Sequence, residues 1–366
     1  MLTQELKTSS RDEVDGAPVK VTLRGPQNDL IVPSYDELPP VEGMPHGCTW
    51  GLWDREGQKD ELGTLNLLTP ATILAARNEI QHGISLAINW SLDNCETPHS
   101  GRRKPNHKIM QLPDWVGHDD EIQMNTQSGS QWDGFRHWAH QPSRTYYNGV
   151  SHADITSLET PPRNGIDQWS KNGGIVGRGI LLDYHSWAQE HNIDYSPIDR
   201  HPISEKDLET VAAWQGTEFR QGDILLIRSG FVKWYKEASS EDRRRGTVGG
   251  STWAGIEGTE EAVKWLWNRH FAAVGGDANV FEAWPARHER WRKTGSPIDV
   301  AASLTLVTGL HDNLIALFGM PVGEMFDLDE LAEACKKLRK WSFFFTSAPL
   351  NFPGGIASPP NAICIL

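Results

Sequence analysis

The segment 127–140, QSGSQWDGFRHWAH, concentrates side chains that bind cations and transfer protons. Asp133 offers a hard carboxylate oxygen, and His137 offers an imidazole that can act as a ligand or as a general base. His140 follows three residues later. The Ser-Gly-Ser turn that opens the segment favours a loop in which these groups reach one site. The alternative interpretation is that the Asp, Arg and His side chains are ordinary polar groups on the surface of the protein.

A second group of candidate ligands lies nearer the carboxyl terminus. His311 opens and Glu324 closes the segment HDNLIALFGMPVGE, in which a Gly-Met-Pro-Val-Gly turn can return the carboxylate to the site that the histidine faces. Together with Asp133, these residues would form a set of one histidine and two carboxylates. Such an oxygen-rich set suits Mn²⁺ or Zn²⁺ better than copper.

Alternating strand and helix patterns surround these candidates and predict one α/β domain over residues 45–366. Ser204 and Thr259 are the expected N-caps of two helices. The remaining expectations are buried strands within 180–182, 222–231, 271–277, 341–350 and 362–366, helices within 203–214, 258–270 and 327–340, a long loop over 95–115, and a polar, partly mobile N-terminal arm over 1–44.

Composition and charge exclude several classes of function. The net charge of −13 repels polyanions, and the short basic runs at 102–104 and 242–246 are interpreted as solvated faces. The four cysteines are dispersed without a CxxC pair, which argues against a zinc knuckle or a disulfide scaffold. The chain has no signal-type segment and no apolar run of about 18 residues. We therefore expect a soluble, cytoplasmic protein with a small-molecule substrate and no nucleic-acid or membrane partner.

The chain resembles the cyclase family that includes bacterial kynurenine formamidase and isatin hydrolase. The family motif His-x-Gly-Thr-His-x-Asp-x-Pro-x-His aligns without gaps with QSGSQWDGFRH at 127–137. Similar segments extend the resemblance over residues 45–366, namely LGTLNLLTPATILAA, GILLDYHSW, FRQGDILLIRSGF, AVKWLWNRHFAAVGGDANVFE, GLHDNLIALFGMPVGEMFDLDEL and APLNFPGGIASPPNAICIL.

This resemblance implies a swivelling β/β/α fold and a hydrolase that opens an amide or cyclic amide with water activated by a divalent metal. It implies that Asp133 is the bridging aspartate and His137 the catalytic histidine. It also implies that His311 and Glu324 are ligands of a second metal, and that the protein is a homodimer or homotetramer.

The sequence departs from the family motif at its metal ligands. The two histidines that open the motif are Gln127 and Gln131 here, and an amide oxygen holds zinc far less well than imidazole. The motif threonine is Ser130, which keeps a hydroxyl, and the motif proline is Phe135, which loses a fixed φ. We therefore expect a site reduced to one divalent cation, with help from the two glutamines, or a site that holds none.

Aromatic and histidine side chains near the motif are candidates for substrate contact. Trp132, Trp138 and Tyr147 could line a cavity for a flat or polycyclic substrate, with His140 as an added polar group. Core packing explains each of these aromatic residues equally well.

Three hypotheses for function follow. The first is a metal-dependent hydrolase that opens an amide, lactam or lactone in a medium-sized organic molecule, with His137 as the proton shuttle. The second is a metal-free or metal-assisted cyclase, dehydratase or isomerase of specialised metabolism, in which His137 and Asp133 are the proton-transfer pair. The third is a non-catalytic binding protein on an enzyme fold. Product mass distinguishes the first two, because only hydrolysis adds a water molecule.

Overall fold

A mixed sheet of nine strands lies at the centre of the described part of the chain. The structure is a computed structural model that describes residues 22–24, 29–157, 159, 161–248, 252–286 and 309–366. The strands are β1 (Thr22–Arg24), β2 (Asp29–Ile31), β3 (Ser85–Ala87), β4 (Asn106–Gln111), β5 (His118–Gln123), β6 (Gln131–Asp133), β7 (Thr145–Tyr146), β8 (Val150–Ser151), β9 (Ile175–Leu182), β10 (Pro202–Ile203), β11 (Ile224–Ile227), β12 (Gly255–Ile256), β13 (Ala273–Gly276), β14 (Val322–Glu324), β15 (Ser342–Ser347), β16 (Ala357–Ser358) and β17 (Ala362–Ile365).

The sheet has the strand order β16-β6-β14-β13-β11-β9-β15-β17-β3. Its four central strands β14, β13, β11 and β9 are parallel, and the strands on either side are antiparallel to their neighbours. Ile180, Leu225 and Val274 lie in register on adjacent strands and are fully buried. Parallel strands that are covered on both faces read as continuous apolar runs, which is why the sequence predicts these strands correctly.

Helices connect and cover these strands. They are α1 (Pro70–Ala76), α2 (Asp167–Lys171), α3 (Tyr184–Glu190), α4 (Glu205–Gln215), α5 (Phe231–Glu237), α6 (Ser240–Thr247), α7 (Glu260–Asn268), α8 (Asp329–Leu338) and a π-helix (Asp312–Phe318). Both predicted N-caps are confirmed. The Ser204 hydroxyl accepts the Asp207 N–H at 3.1 Å, and the Thr259 hydroxyl accepts the Ala262 N–H at 3.1 Å.

The prediction of a long loop over 95–115 is wrong for its second half. Strand β4 pairs with β5 in an antiparallel hairpin, and nearly all of the side chains of both strands are exposed. Because neither face of this hairpin is buried, its sequence lacks the apolar alternation that marks a half-buried strand. The first half, which ends near Arg103, is irregular as expected and packs beside the candidate site described below.

Part of the predicted N-terminal arm packs against the core. Residues 1–21 and 25–28 lie outside the described residues. Leu30, Tyr35 and Leu38 are buried in the main hydrophobic core, and the Tyr35 N–H donates to the Asn268 side chain at 2.7 Å. The domain boundary after residue 44 stays a prediction.

All four cysteines are buried free thiols, which confirms that this chain is not a disulfide scaffold. In the ranges that the structure describes, no helix is both long and apolar enough to cross a membrane.

Gly134 allows β6 to pass close to the chain that precedes β16. Its N–H donates to the Ile356 carbonyl at 3.0 Å, and a Cβ at this position would lie 2.6 Å from that oxygen. We predict that Gly134→Ala lowers the free energy of unfolding by about 1–3 kcal/mol, because overpacking forces the two segments apart. Chemical denaturation measures the change.

Gly129→Ala is the matched control, since a Cβ at that position would have no heavy atom within 4 Å. The control should unfold like the unmodified protein. Equal stability of the two variants would contradict the close approach at Gly134.

Candidate metal centre

Strands β6 and β14 place polar side chains together on one face of the sheet. In their antiparallel register Gln131 lies opposite Glu324, and Asp133 lies opposite Val322. Side chains two residues apart in a strand project from the same face, so Gln131 and Asp133 both reach toward Glu324. Gln131 and Asp133 have no exposed surface, and Glu324 is 3% exposed.

The residue before β6 fixes this strand to the end of β14. The Ser130 hydroxyl donates to the Met325 carbonyl at 2.5 Å and accepts the Trp90 N–H at 2.8 Å. Ser130 stands where the family motif has threonine, and its hydroxyl therefore holds β6 and the end of β14 together.

His311 immediately precedes the π-helix, and its side chain reaches the site. Its Nδ1 lies 2.7 Å from Glu282 Oε1, and Glu282 also accepts the backbone N–H groups of Leu310 at 2.9 Å and of His311 at 3.3 Å. A carboxylate on one ring nitrogen fixes the orientation of the imidazole and leaves the other nitrogen for a ligand. In this structure the other nitrogen, Nε2, faces Asp133 and Glu324.

Asp133, His311 and Glu324 form a compact set of donor atoms. His311 Nε2 lies 3.2 Å from Glu324 Oε1 and 3.8 Å from Asp133 Oδ2, and one ligand atom from each residue lies within 4.8 Å of the others. Asp133 Oδ2 and Gln131 Oε1 are buried and accept no hydrogen bond from any described residue. Unpaired buried oxygens are costly, so this donor set fits a divalent cation.

The two glutamines present their amide nitrogens to the carboxylates. Gln127 Nε2 donates to Asp133 Oδ1 at 2.7 Å, and Gln131 Nε2 donates to Glu324 Oε2 at 2.7 Å. The amide groups thus occupy the sides of the carboxylates that imidazole ligands would share with a second cation. Whether the site holds one cation or two stays a prediction.

His137 lies at the edge of this set. Its Nε2 is 3.7 Å from Asp133 Oδ2, too far for a hydrogen bond, and 3.3 Å from Gln127 Nε2. Burial and, to a smaller extent, the nearby charge of His311 lower the pKa of His137 to about 3. The imidazole is therefore neutral at physiological pH and available to accept a proton.

The two buried carboxylates of the set, Asp133 and Glu324, repel each other. Burial and, to a smaller extent, the charge of Glu324 raise the pKa of Asp133 to about 7. Burial alone would lower the pKa of His311, but its hydrogen bonds to Glu282 and Glu324 raise it well above the usual value. A cation between the carboxylates would relieve their repulsion, and it would compete with the proton on His311.

Trp138 forms an aromatic wall beside both histidines. Its ring centroid is 5.7 Å from that of His311 and 6.0 Å from that of His137. Its indole N–H donates to Asp312 Oδ2 at 3.0 Å, and Asp312 also accepts the Gln141 N–H at 2.7 Å. Asp312 thereby holds the indole against the site, and substrate contact by Trp138 stays a prediction.

The prediction that Trp132 and Tyr147 contact substrate is wrong. Trp132 points to the face of β6 opposite Asp133, where it has no exposed surface and packs against Phe326. Tyr147 is also fully buried, and its hydroxyl donates to Asp60 at 2.9 Å. The position of Trp132 follows from strand alternation. Successive side chains point to opposite faces, and its neighbours Gln131 and Asp133 face the site.

His140 is not part of the donor set. Its Nδ1 lies 2.9 Å from the Ser143 hydroxyl, and its backbone N–H donates to the Thr145 carbonyl at 3.0 Å. The sequence alone could not separate His140 from His137, because the turn between them follows no simple periodicity.

Glu282 is the site residue that the sequence analysis missed. It follows β13, one of the central parallel strands, by six residues. Polar residues after the carboxyl ends of parallel strands commonly line sites, so the segment GGDANVFE carried a usable signal.

We predict that Glu282→Gln weakens cation binding about 10- to 100-fold, because outer-sphere carboxylates that orient a ligating histidine have effects of this size. Titration of the cation-free protein with Mn²⁺ or Zn²⁺ in a calorimeter measures the affinity.

Glu257→Gln provides the control, since the Glu257 carboxylate pairs with Arg200 at 2.7 Å instead of with His311. An affinity in Glu282→Gln that equals the affinity of this control would contradict the orienting role.

The fold and this carboxylate–histidine set define an α/β protein with a buried candidate metal centre. The family model described as "Putative cyclase" matches residues 56–283, and the chain belongs to the cyclase family. The family resemblance seen in the sequence is thereby confirmed. No curated protein matches the sequence.

Solved structures confirm the fold class. A crystal structure described as a novel cyclase is 26% identical, covers 87% of this chain and 99% of its own, and has a TM-score of 0.72. Isatin hydrolase A from Labrenzia aggregata, bound to benzyl benzoate, is 15% identical, with coverages of 82% and 98% and a TM-score of 0.50. Isatin hydrolase A from Ralstonia solanacearum is 15% identical, with coverages of 81% and 97% and a TM-score of 0.50. At this identity the two isatin hydrolases show the fold alone.

Proposed function

We propose that this protein is a hydrolase that opens an amide, lactam or lactone bond with the help of one divalent cation, Mn²⁺ or Zn²⁺. Asp133, His311 and Glu324 would hold the cation. The observation that carries the proposal is the convergence of these three donors within 4.8 Å, with Asp133 Oδ2 buried and unpaired among the described residues.

When bound, a divalent cation supplies Lewis-acid polarisation of a carbonyl group and lowers the pKa of a water molecule. His137 accepts the proton that water gives up and passes it to the leaving nitrogen or oxygen. The lowered pKa of His137 keeps the imidazole neutral before the reaction, although it also makes the imidazole a weaker base. The acyl carbon gains one oxygen from water as its bond to the leaving atom breaks.

The glutamines explain why we propose one cation. Gln127 and Gln131 donate N–H groups to the carboxylates and supply no imidazole ligand. Gln131 Oε1, which is buried and unpaired among the described residues, could add an amide oxygen to the cation.

The substrate we propose is a medium-sized molecule with an aromatic or polycyclic part. The face of Trp138 beside His137 and His311 supports this proposal, because an indole stacks well against flat rings.

Product mass tests the proposed reaction. The purified protein is incubated with a panel of aromatic amides, lactams and lactones, with and without added Mn²⁺ or Zn²⁺, in water enriched in ¹⁸O. We expect ring-opened products heavier by one labelled water molecule from lactams and lactones, and a labelled acid together with the free amine from open-chain amides. Both kinds of product should disappear after chelation. A product of unchanged mass, or one lighter by a water molecule, would contradict hydrolysis.

One observation favours a second candidate, which is acid–base cyclisation, dehydration or isomerisation without a metal. The glutamine N–H groups already satisfy one oxygen each of Asp133 and Glu324. In this candidate Asp133 and His137, which lie 3.7 Å apart, would each transfer a proton to or from the substrate. The same mass experiment separates it from hydrolysis.

A further inference from the structure

The basic run Arg102–Lys104 does not behave as one solvated face. Arg102 is half-buried and its Nη1 donates to the backbone carbonyl of Gln127 at 3.2 Å. Gln127 is the residue whose side chain contacts Asp133 and His137. Lys104 is exposed, and its charge acts instead on Asp93 and Glu96. The run therefore divides, with Arg102 directed to the candidate site and Lys104 directed away from it.

The charge of Arg102 reaches the buried groups of the site. Burial is the largest influence on the pKa values of Asp133, Glu324 and His137. The positive charge of Arg102 acts on all three and pulls each pKa downward. The hydrogen bond to the Gln127 backbone places the guanidinium beside these groups, because the Gln127 side chain contacts Asp133 and His137.

Within the described residues, the Arg102 guanidinium has no carboxylate partner within 4.0 Å. The buried guanidinium groups of Arg178 and Arg228 are different, because each of them pairs with two carboxylates. A guanidinium has five N–H donors, and the hydrogen bond to Gln127 uses one of them. Several donors therefore remain for a ligand.

The chain that leads to Arg102 is held by contacts with residues 235–247. The Glu96 N–H donates to the Tyr235 hydroxyl at 2.9 Å, and the Glu96 carboxylate pairs with Arg243 at 2.6 Å. His99 lies 3.1 Å from the Thr247 carbonyl through its Nδ1. Because these contacts position the segment in advance, Arg102 is preorganised at the edge of the site.

We propose that Arg102 binds a carboxylate group of the substrate, so that the protein acts on an anionic amide, lactam or lactone. This inference rests on the proposed function for the site but concerns substrate recognition. A planar guanidinium matches a carboxylate with two parallel hydrogen bonds, which makes arginine suited to this role.

Binding of two matched probes tests the proposal without depending on turnover. The probes are 3-acetamidobenzoate and its neutral analogue 3-acetamidobenzamide, and the readout is calorimetric affinity for the holoprotein. We expect the unmodified protein to bind the carboxylate about 10- to 100-fold more tightly than the amide, as for charge-assisted hydrogen bonds. Arg102→Gln should abolish the preference, Arg102→Lys should keep part of it, and the control Lys104→Gln should keep all of it.

Two results would overturn the proposal. One is an unmodified protein that binds the carboxylate no better than the amide. The other is an Arg102→Gln variant that keeps the full preference, or that loses affinity for both probes equally, as expected if Arg102 only supports the turn at Gln127. Because no chemical step is measured, failure of the proposed hydrolysis would show in the product-mass experiment and not here.

Discussion

Replacing His137 by Ala is expected to lower turnover about 10²- to 10⁴-fold, the usual contribution of a positioned general base. The imidazole lies next to Asp133 and Gln127, and burial lowers its pKa to about 3, so it is neutral when substrate arrives. Among the described residues, its side-chain contact within 3.5 Å is with Gln127, at 3.3 Å, so we expect the fold to tolerate its loss. Steady-state kinetics on a substrate found by the product-mass screen measure the loss.

Two further variants complete this test. His137→Gln keeps a polar side chain of similar length but cannot carry a proton, so it should lose as much activity as His137→Ala. His140→Ala removes a nearby imidazole that contacts Ser143 instead of the site, and it should keep nearly full turnover. Full activity of either His137 variant would show that another group moves the proton.

The second large effect is expected from the double substitution Gln127→His and Gln131→His. The glutamine nitrogens lie 2.7 Å from oxygens of Asp133 and Glu324, so imidazoles at these positions could join the carboxylates in a second set of ligands. Imidazole binds zinc far better than an amide oxygen. We predict that the zinc content rises from one to two atoms per chain, as measured by elemental analysis after dialysis.

Gln141→His is the matched control, since the Gln141 side chain bonds to the Ala139 carbonyl outside the donor set. The control should keep the zinc content of the unmodified protein. Unchanged content in the double variant would mean that the glutamines are not what limits the site to one cation.

Regular patterns in the sequence predict the elements that position the site. Apolar runs predict three of the four central strands, and Ser204 and Thr259 predict two helix starts, because burial and capping act over a few residues. The fourth central strand, β14, is missed, since a turn was predicted there. The exposed hairpin of β4 and β5 escapes prediction because it has no buried face. The homodimer or homotetramer that the family resemblance implies stays a prediction.

The site itself is predicted unevenly. Asp133, His311 and Glu324 are proposed as one set from residue chemistry and family resemblance, and the structure brings them together. Glu282 is missed because its role depends on a hydrogen bond to a residue 29 positions away. Arg102 is mistaken for a solvated residue because a basic run does not show which of its side chains turns inward.

The most direct test of the account is elemental analysis of the protein purified without added metal or chelator, beside a His311→Ala variant. Circular dichroism confirms that the variant is folded, and His140→Ala serves as the control. We expect close to one Mn or Zn per chain in the unmodified protein and in the control, and none in His311→Ala. Equal metal content in all three proteins, or a metal-free protein whose turnover is insensitive to chelators and to added Mn²⁺ or Zn²⁺, would contradict a cation held by Asp133, His311 and Glu324.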